Sequence, residues 1–96
     1  MLGETIANIR KEKGMKQGEL AFNSSISLTY LSQIENNRKK PNISTLEKIS
    51  KALEMPLPII FFLSLDVKDI PENKRKAYSM LFPSFEALIK EFFLAN

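Results

Sequence analysis

The sequence predicts an all-α fold: five short helices in one compact domain, then a linker and a helical extension. Two observations predict it. Apolar residues recur at three- and four-residue intervals, as in Leu2, Ile6, Ile9 and Leu46, Ile49, Leu53, which places them on one face of a helix. Capping residues, glycine and proline break these periodic stretches at short intervals. The chain has 96 residues, 44% of them hydrophobic. That suits one small folded domain with an appendage and argues against disorder.

The first helix carries Leu2, Ile6 and Ile9 and ends in a basic run before Gly14, a glycine stop. A second, short helix is expected from Gln17 to Asn23 with Leu20 and Ala21 inward; Gly18 lies in its first turn, where the propensity cost is small. Polar Asn23, Ser24 and Ser25 mark a tight turn. The third helix runs from about Ser27, a good N-cap, to Asn36, and Pro41 blocks continuation. The fourth spans roughly Ser44 to Glu54, opened by a capping-box pattern of Ser44 and Glu47. Pro56 and Pro58 end it and can open a fifth helix through Phe62.

Residues 1–65 form the expected domain. Residues 66–96 form a linker and an amphipathic helical extension, with a helix starting near Pro71 that Pro83 either kinks or divides. Tyr78, Leu81, Phe82, Phe85, Leu88, Ile89 and Phe92 make the extension too apolar to leave in water. They either fold back on their own domain or meet another chain.

Composition removes whole classes of function. There is no Cys and no His, hence no thiolate nucleophile, no imidazole base and none of the usual zinc ligand sets. The Asp and Glu residues form no close catalytic pair, so an enzyme is not expected, nor is a metal or other cofactor. The N-terminal residues lack a continuous apolar core and the run from Leu57 to Leu65 is too short to span a bilayer; the expected location is cytoplasmic, with no membrane partner. Net charge is +3. Residues 1–65 hold nine Lys and Arg against six Asp and Glu, whereas residues 66–96 hold five of each. The positive excess lies in the domain, where an anionic partner would bind.

At about 100° per residue, the third helix places Leu31, Ile34 and Glu35 on one side and Thr29, Ser32, Gln33 and Asn36 on the other. Leu28 falls at the boundary. A carboxylate beside apolar residues needs a charged, hydrogen-bonding partner. Arg10 shares the inner face of the first helix with Ile6 and Ile9, which predicts an Arg10–Glu35 ion pair between the two helices. The outer groups can pair with base edges, as can those of many solvated helices.

The segments IRKEKGMKQGEL, ISLTYLSQIENNRKKP and ISTLEKISKALEMPLPIIF resemble the phage-repressor-like (Cro-type, XRE) helix-turn-helix family over about residues 3 to 62. The resemblance implies a five-helix, lambda-repressor-like domain whose third helix enters the major groove of double-stranded DNA. Carried over position by position, it implies base contacts from Leu28, Thr29 and Gln33, with Ser32 a lesser contact. It also implies DNA phosphate contacts from Gln17, Tyr30, Asn36, Arg38 and Lys40, with Gln17 alternatively bracing the helix below. Arg10 and Glu35 match positions that pair in some members. Two departures stand out: many members have Gly where this chain has Ser25 and Asn37, and Ser is the less comfortable of the two at positive φ.

The expected function is a sequence-specific transcriptional regulator acting as a homodimer, since such proteins read two half-sites with a symmetric dimer. The alternative keeps the fold but makes the chain an antitoxin-like or other protein-interaction module whose C-terminal helices bind a partner protein.

Overall fold

The computed structural model describes residues 1–94. Its described residues form six α-helices and no strand: α1 (Leu2–Glu12), α2 (Gln17–Asn23), α3 (Leu28–Glu35), α4 (Ile43–Leu53), α5 (Leu57–Leu63) and α6 (Arg75–Ile89). Two 3₁₀ turns, Val67–Asp69 and Glu72–Lys74, join α5 to α6, and a π-helical turn, Lys90–Leu94, follows α6. No helix among the described residues is long and apolar enough to cross a membrane.

The core is assembled from the first five helices. Ile6 and Ile9 of α1, Leu20 and Ala21 of α2, Leu31 and Ile34 of α3, and Leu46, Ile49 and Leu53 of α4 meet Met55 and Ile60 there. Helix α3 packs on α1 and α2, α4 on α2 and α5, and α5 on α1. Ala21 is the smallest of these side chains, and it lets α2 lie close to its neighbours.

Each helix end has a local cause. Ser27 caps α3, its hydroxyl accepting the Tyr30 N–H at 3.0 Å. Helix α4 starts two residues earlier than the Ser44–Glu47 pattern suggests. Asn42 is its N-cap, with Oδ1 accepting the Thr45 N–H at 2.8 Å. Asn caps as well as Ser does, and Asn42 takes the extended backbone of an N-cap, so the box from Ser44 never forms. The exit of α4 also departs from a glycine rule: Glu54 takes φ +54°, which turns the chain so that Met55 drops into the core.

The turn between α2 and α3 is tight. Ser24 is its buried residue, and its hydroxyl is the buried side-chain polar atom without a partner among the described residues. Ser25 sits at φ +56°, where a Cβ is crowded against the backbone.

Beyond Leu65 the packing changes character, because α6 contributes no buried residue. The helix runs continuously through Pro83 and has two apolar faces. Tyr78, Phe82 and Ile89 are half-buried toward the body, with Phe82 5.4 Å from the Phe62 ring and Tyr78 5.2 Å from Phe82. Burial, then the carboxylates of Asp66, Asp69 and Glu86, push the Tyr78 phenol above its usual pKa, so it stays protonated and its hydroxyl donates to the Leu65 carbonyl at 3.4 Å. Phe93 and Leu94 reach back onto the core, and Lys90 pairs with Glu12 at 3.7 Å. The second face is bare: Met80, Leu81, Phe85, Leu88 and Phe92 all lie in solvent, although the Phe85 ring still touches Phe62 edge-on at 6.1 Å.

Replacing Ser25 with Gly relieves the left-handed strain, and we expect it to raise stability by about 0.5–1 kcal/mol. The measurement is the urea midpoint at unchanged m-value. A lower midpoint would show that the serine side chain contributes more than its strain costs.

Candidate nucleic-acid interface

The orientation of α3 follows from one buried network. Arg10 Nε donates to Glu35 Oε2 at 2.8 Å, and Arg10 Nη2 donates to Glu35 Oε1 at 3.0 Å. Gln17 Nε2 donates to the same Oε1 at 3.1 Å, and Arg10 Nη1 donates to the Met15 carbonyl at 3.0 Å. Both Glu35 oxygens are thus used, and Arg10 and Glu35 are buried. Such a pair gains little over an apolar substitute, but it tolerates no loss of either member. One carboxylate therefore joins α1, the loop after it, α2 and α3.

With Glu35 drawn inward, the opposite face of α3 is turned out. Leu28 and Thr29 are exposed at its N-terminal end, Leu28 to 52%. Ser32 and Gln33 are half-buried on the same side, and Asn36 is exposed at the end. Asn36 Nδ2 donates back to the Ser32 carbonyl at 2.9 Å and to Ser32 Oγ at 3.4 Å, so one of its two amide protons is committed within the helix. Tyr30 is half-buried and packs against the core. Gln17 is half-buried at the start of α2 with its amide nitrogen engaged by Glu35.

The chain leaves α3 through Asn37 at φ +59° and enters a basic loop. The Arg38 and Lys39 amides both donate to the Gln33 carbonyl, at 2.8 and 3.3 Å, which caps the helix and directs Arg38, Lys39 and Lys40 into solvent. Neither of the two ion pairs among the described residues involves these three cations. The surface formed by Leu28, Thr29, Ser32, Gln33, Asn36, Arg38 and Lys40 is thus neutral at the helix and positive beside it. By contrast, no group of acidic residues, His or Cys among the described residues is arranged to hold a metal ion.

One contact here was not read from the sequence. The Asn37 side-chain oxygen accepts the Gly3 N–H at 3.0 Å. A Cβ at Gly3 would lie 2.6 Å from that oxygen and 2.9 Å from the Glu35 carbonyl, and nearer still to the Ile34 carbonyl. A glycine in the first turn of a helix was the available signal, since it is a poor helix former kept where another backbone comes close.

The chain has relatives among known proteins. A helix-turn-helix family model matches residues 6–60. The chain is 39% identical over 66 residues to the ImmF control region 10 kDa protein of Bacillus phage phi105, covering 69% of this chain and 73% of that one. It is 43% identical over 56 residues to the HTH-type transcriptional regulator SinR of Bacillus subtilis, covering 57% of this chain but only half of SinR. Among solved structures, the wild-type restriction-modification controller protein C.Esp1396I superposes with a TM-score of 0.60 at 40% identity, over 65% of this chain and 80% of that one.

Arg10→Met leaves Glu35 buried with only Gln17 to compensate, and we expect a loss of about 3–5 kcal/mol. Chemical denaturation measures it. Arg10→Met combined with Glu35→Leu should recover most of the loss, and a double variant as unstable as the single one would contradict this account.

Proposed function

The chain belongs to the helix-turn-helix family of XRE type and is a transcriptional regulator, not an enzyme; from that footing we propose that it binds specific double-stranded DNA sequences as a homodimer. The observation that carries the reading is the outward face of α3. It offers uncharged hydrogen-bonding groups and Leu28 on a helix whose single carboxylate is withdrawn into the core. An outward Glu35 would repel phosphates, whereas a neutral face can approach base edges closely.

In this reading Gln33 reads a base edge through its two-sided amide, Thr29 and Ser32 offer hydroxyls, and Leu28 meets a thymine methyl. Arg38 and Lys40 hold the phosphate backbone, aided by Tyr30 and by the free amide protons of Asn36 and Gln17. Lys39 adds to the positive field of the same loop. In this reading the chain works in the cytoplasm, where it meets DNA.

Dimerisation is assigned to the bare face of α6. Leu81, Phe85, Leu88 and Phe92 form its solvent stripe, while Tyr78, Phe82 and Ile89 hold the helix to its own body. The charges of the segment support a second copy rather than an unrelated partner. Lys74, Arg75 and Lys76 stand at its start, and Glu86 and Glu91 stand toward its end, where Lys90 is turned to Glu12. Two copies crossing antiparallel about a two-fold axis would oppose the basic start of each to the acidic end of the other.

Selection from random duplex DNA at two salt concentrations tests the DNA reading directly. Gln33→Ala should lose about 1–3 kcal/mol of discrimination at one base pair. Arg38→Ala should weaken all duplexes alike and lower the salt slope by about one. Equal losses on every sequence for Gln33→Ala would contradict the base-reading assignment.

Sedimentation tests the dimer. We expect a dimer at micromolar concentration and a monomer for Leu88→Asp, because an isologous interface counts each substitution twice. A wild-type monomer under those conditions would remove the α6 assignment.

A further inference from the structure

We propose that Asn37, which lies between the base-reading helix and the phosphate-holding loop, is a positioning residue that presets that loop by capping α1; the inference rests on the DNA-binding reading. Three features of the structure converge on it.

The first is the state of the α1 N-terminus. Met1 occupies the N-cap position without a side-chain hydrogen bond, so the first amides of α1 need acceptors from elsewhere. Asn37 Oδ1 supplies one for Gly3 across 34 positions of sequence. The second is complementarity. Gly3 is buried, and a Cβ there would collide with Asn37 Oδ1 and with the Ile34 and Glu35 carbonyls. The missing side chain of Gly3 and the side chain of Asn37 fit each other, and no residue other than glycine allows the approach.

The third is what the contact controls. The loop carries Arg38, Lys39 and Lys40, all exposed and unpaired with any carboxylate among the described residues. Asparagines pin it at both ends. Asn37 ties its start to α1, and Asn42 ties its end to α4 through the Thr45 N–H. Pro41 stiffens the span between them. A loop held this way has lost its freedom on folding, so that cost is not charged again when phosphates are engaged. Asn37 thereby raises affinity without touching DNA and without selecting a base.

The test is Asn37→Gly in the full chain, because glycine keeps the φ of +59° without strain and removes only the acceptor. Affinity is measured on several unrelated duplexes, well below the melting temperature of both proteins and across a salt series. The expected result is a loss of about three- to ten-fold, the size of one hydrogen bond, equal on all duplexes and with the salt slope retained. Amide exchange at Gly3 should accelerate in the same variant.

Unchanged affinity in a folded Asn37→Gly protein would overturn the proposal and leave Asn37 a purely structural cap. A loss confined to one base pair would overturn it in favour of an effect through α3. Failure of the wild-type chain to bind any duplex would overturn the DNA reading itself, and this inference with it; the Gly3 exchange result would then report the cap alone.

Discussion

The carboxylate of Glu35 is the constraint on which the rest of the structure turns. Three N–H donors from two helices, Arg10 Nε and Nη2 on α1 and Gln17 Nε2 on α2, converge on a charge that cannot leave α3. Desolvating it is expensive, and the offset exists only when α1, α2 and α3 stand in one mutual arrangement. The apolar contacts of Ile6, Leu20, Leu31 and Ile34 exclude water, but they would tolerate small rotations of α3 about its axis. The bidentate guanidinium does not. The direction of Thr29, Ser32 and Gln33 is thus decided by a residue on the opposite side of the helix.

Much of this was legible in the sequence. The all-helical fold followed from spacing, and the inward side of α3 followed from setting its residues at helical angles. What escaped reading has a common physical character. The N-cap passed from Ser44 to Asn42 because two good capping residues stood two positions apart, and local chemistry ranks them almost equally. Glu54 adopts a left-handed conformation that residue type argues against; burial of Met55 offsets the strain, and burial is a property of the assembled domain. The Gly3–Asn37 contact joins positions far apart in the chain, and no local rule pairs them. The apolar residues of α6 were recognised together, but their separation into a half-buried face and a bare face depends on where Phe62 sits.

The two chemical tasks of the proposed interface fall on different pieces of chain. Discrimination belongs to a rigid helix with no charged side chain facing out, and electrostatic attraction belongs to the loop that follows. Each can then change without the other. A substitution at Gln33 leaves the cations where they are, and one at Arg38 leaves the reading face as it was. In the proposed arrangement Asn37, at the joint, sets the geometry of the loop and leaves the reading helix as it is.

The attachment of α6 has a consequence for the molecule in motion. No residue of that helix is buried, and its ties to the body are aromatic contacts, one long hydroxyl bond, a solvent-exposed ion pair and the half-buried Phe93 and Leu94 of the turn that follows, each weak alone. The helix can therefore lift and re-seat at a free-energy cost well below that of opening the five-helix core, as a separate cooperative unit. Movement of this helix need not involve unfolding of the five-helix core.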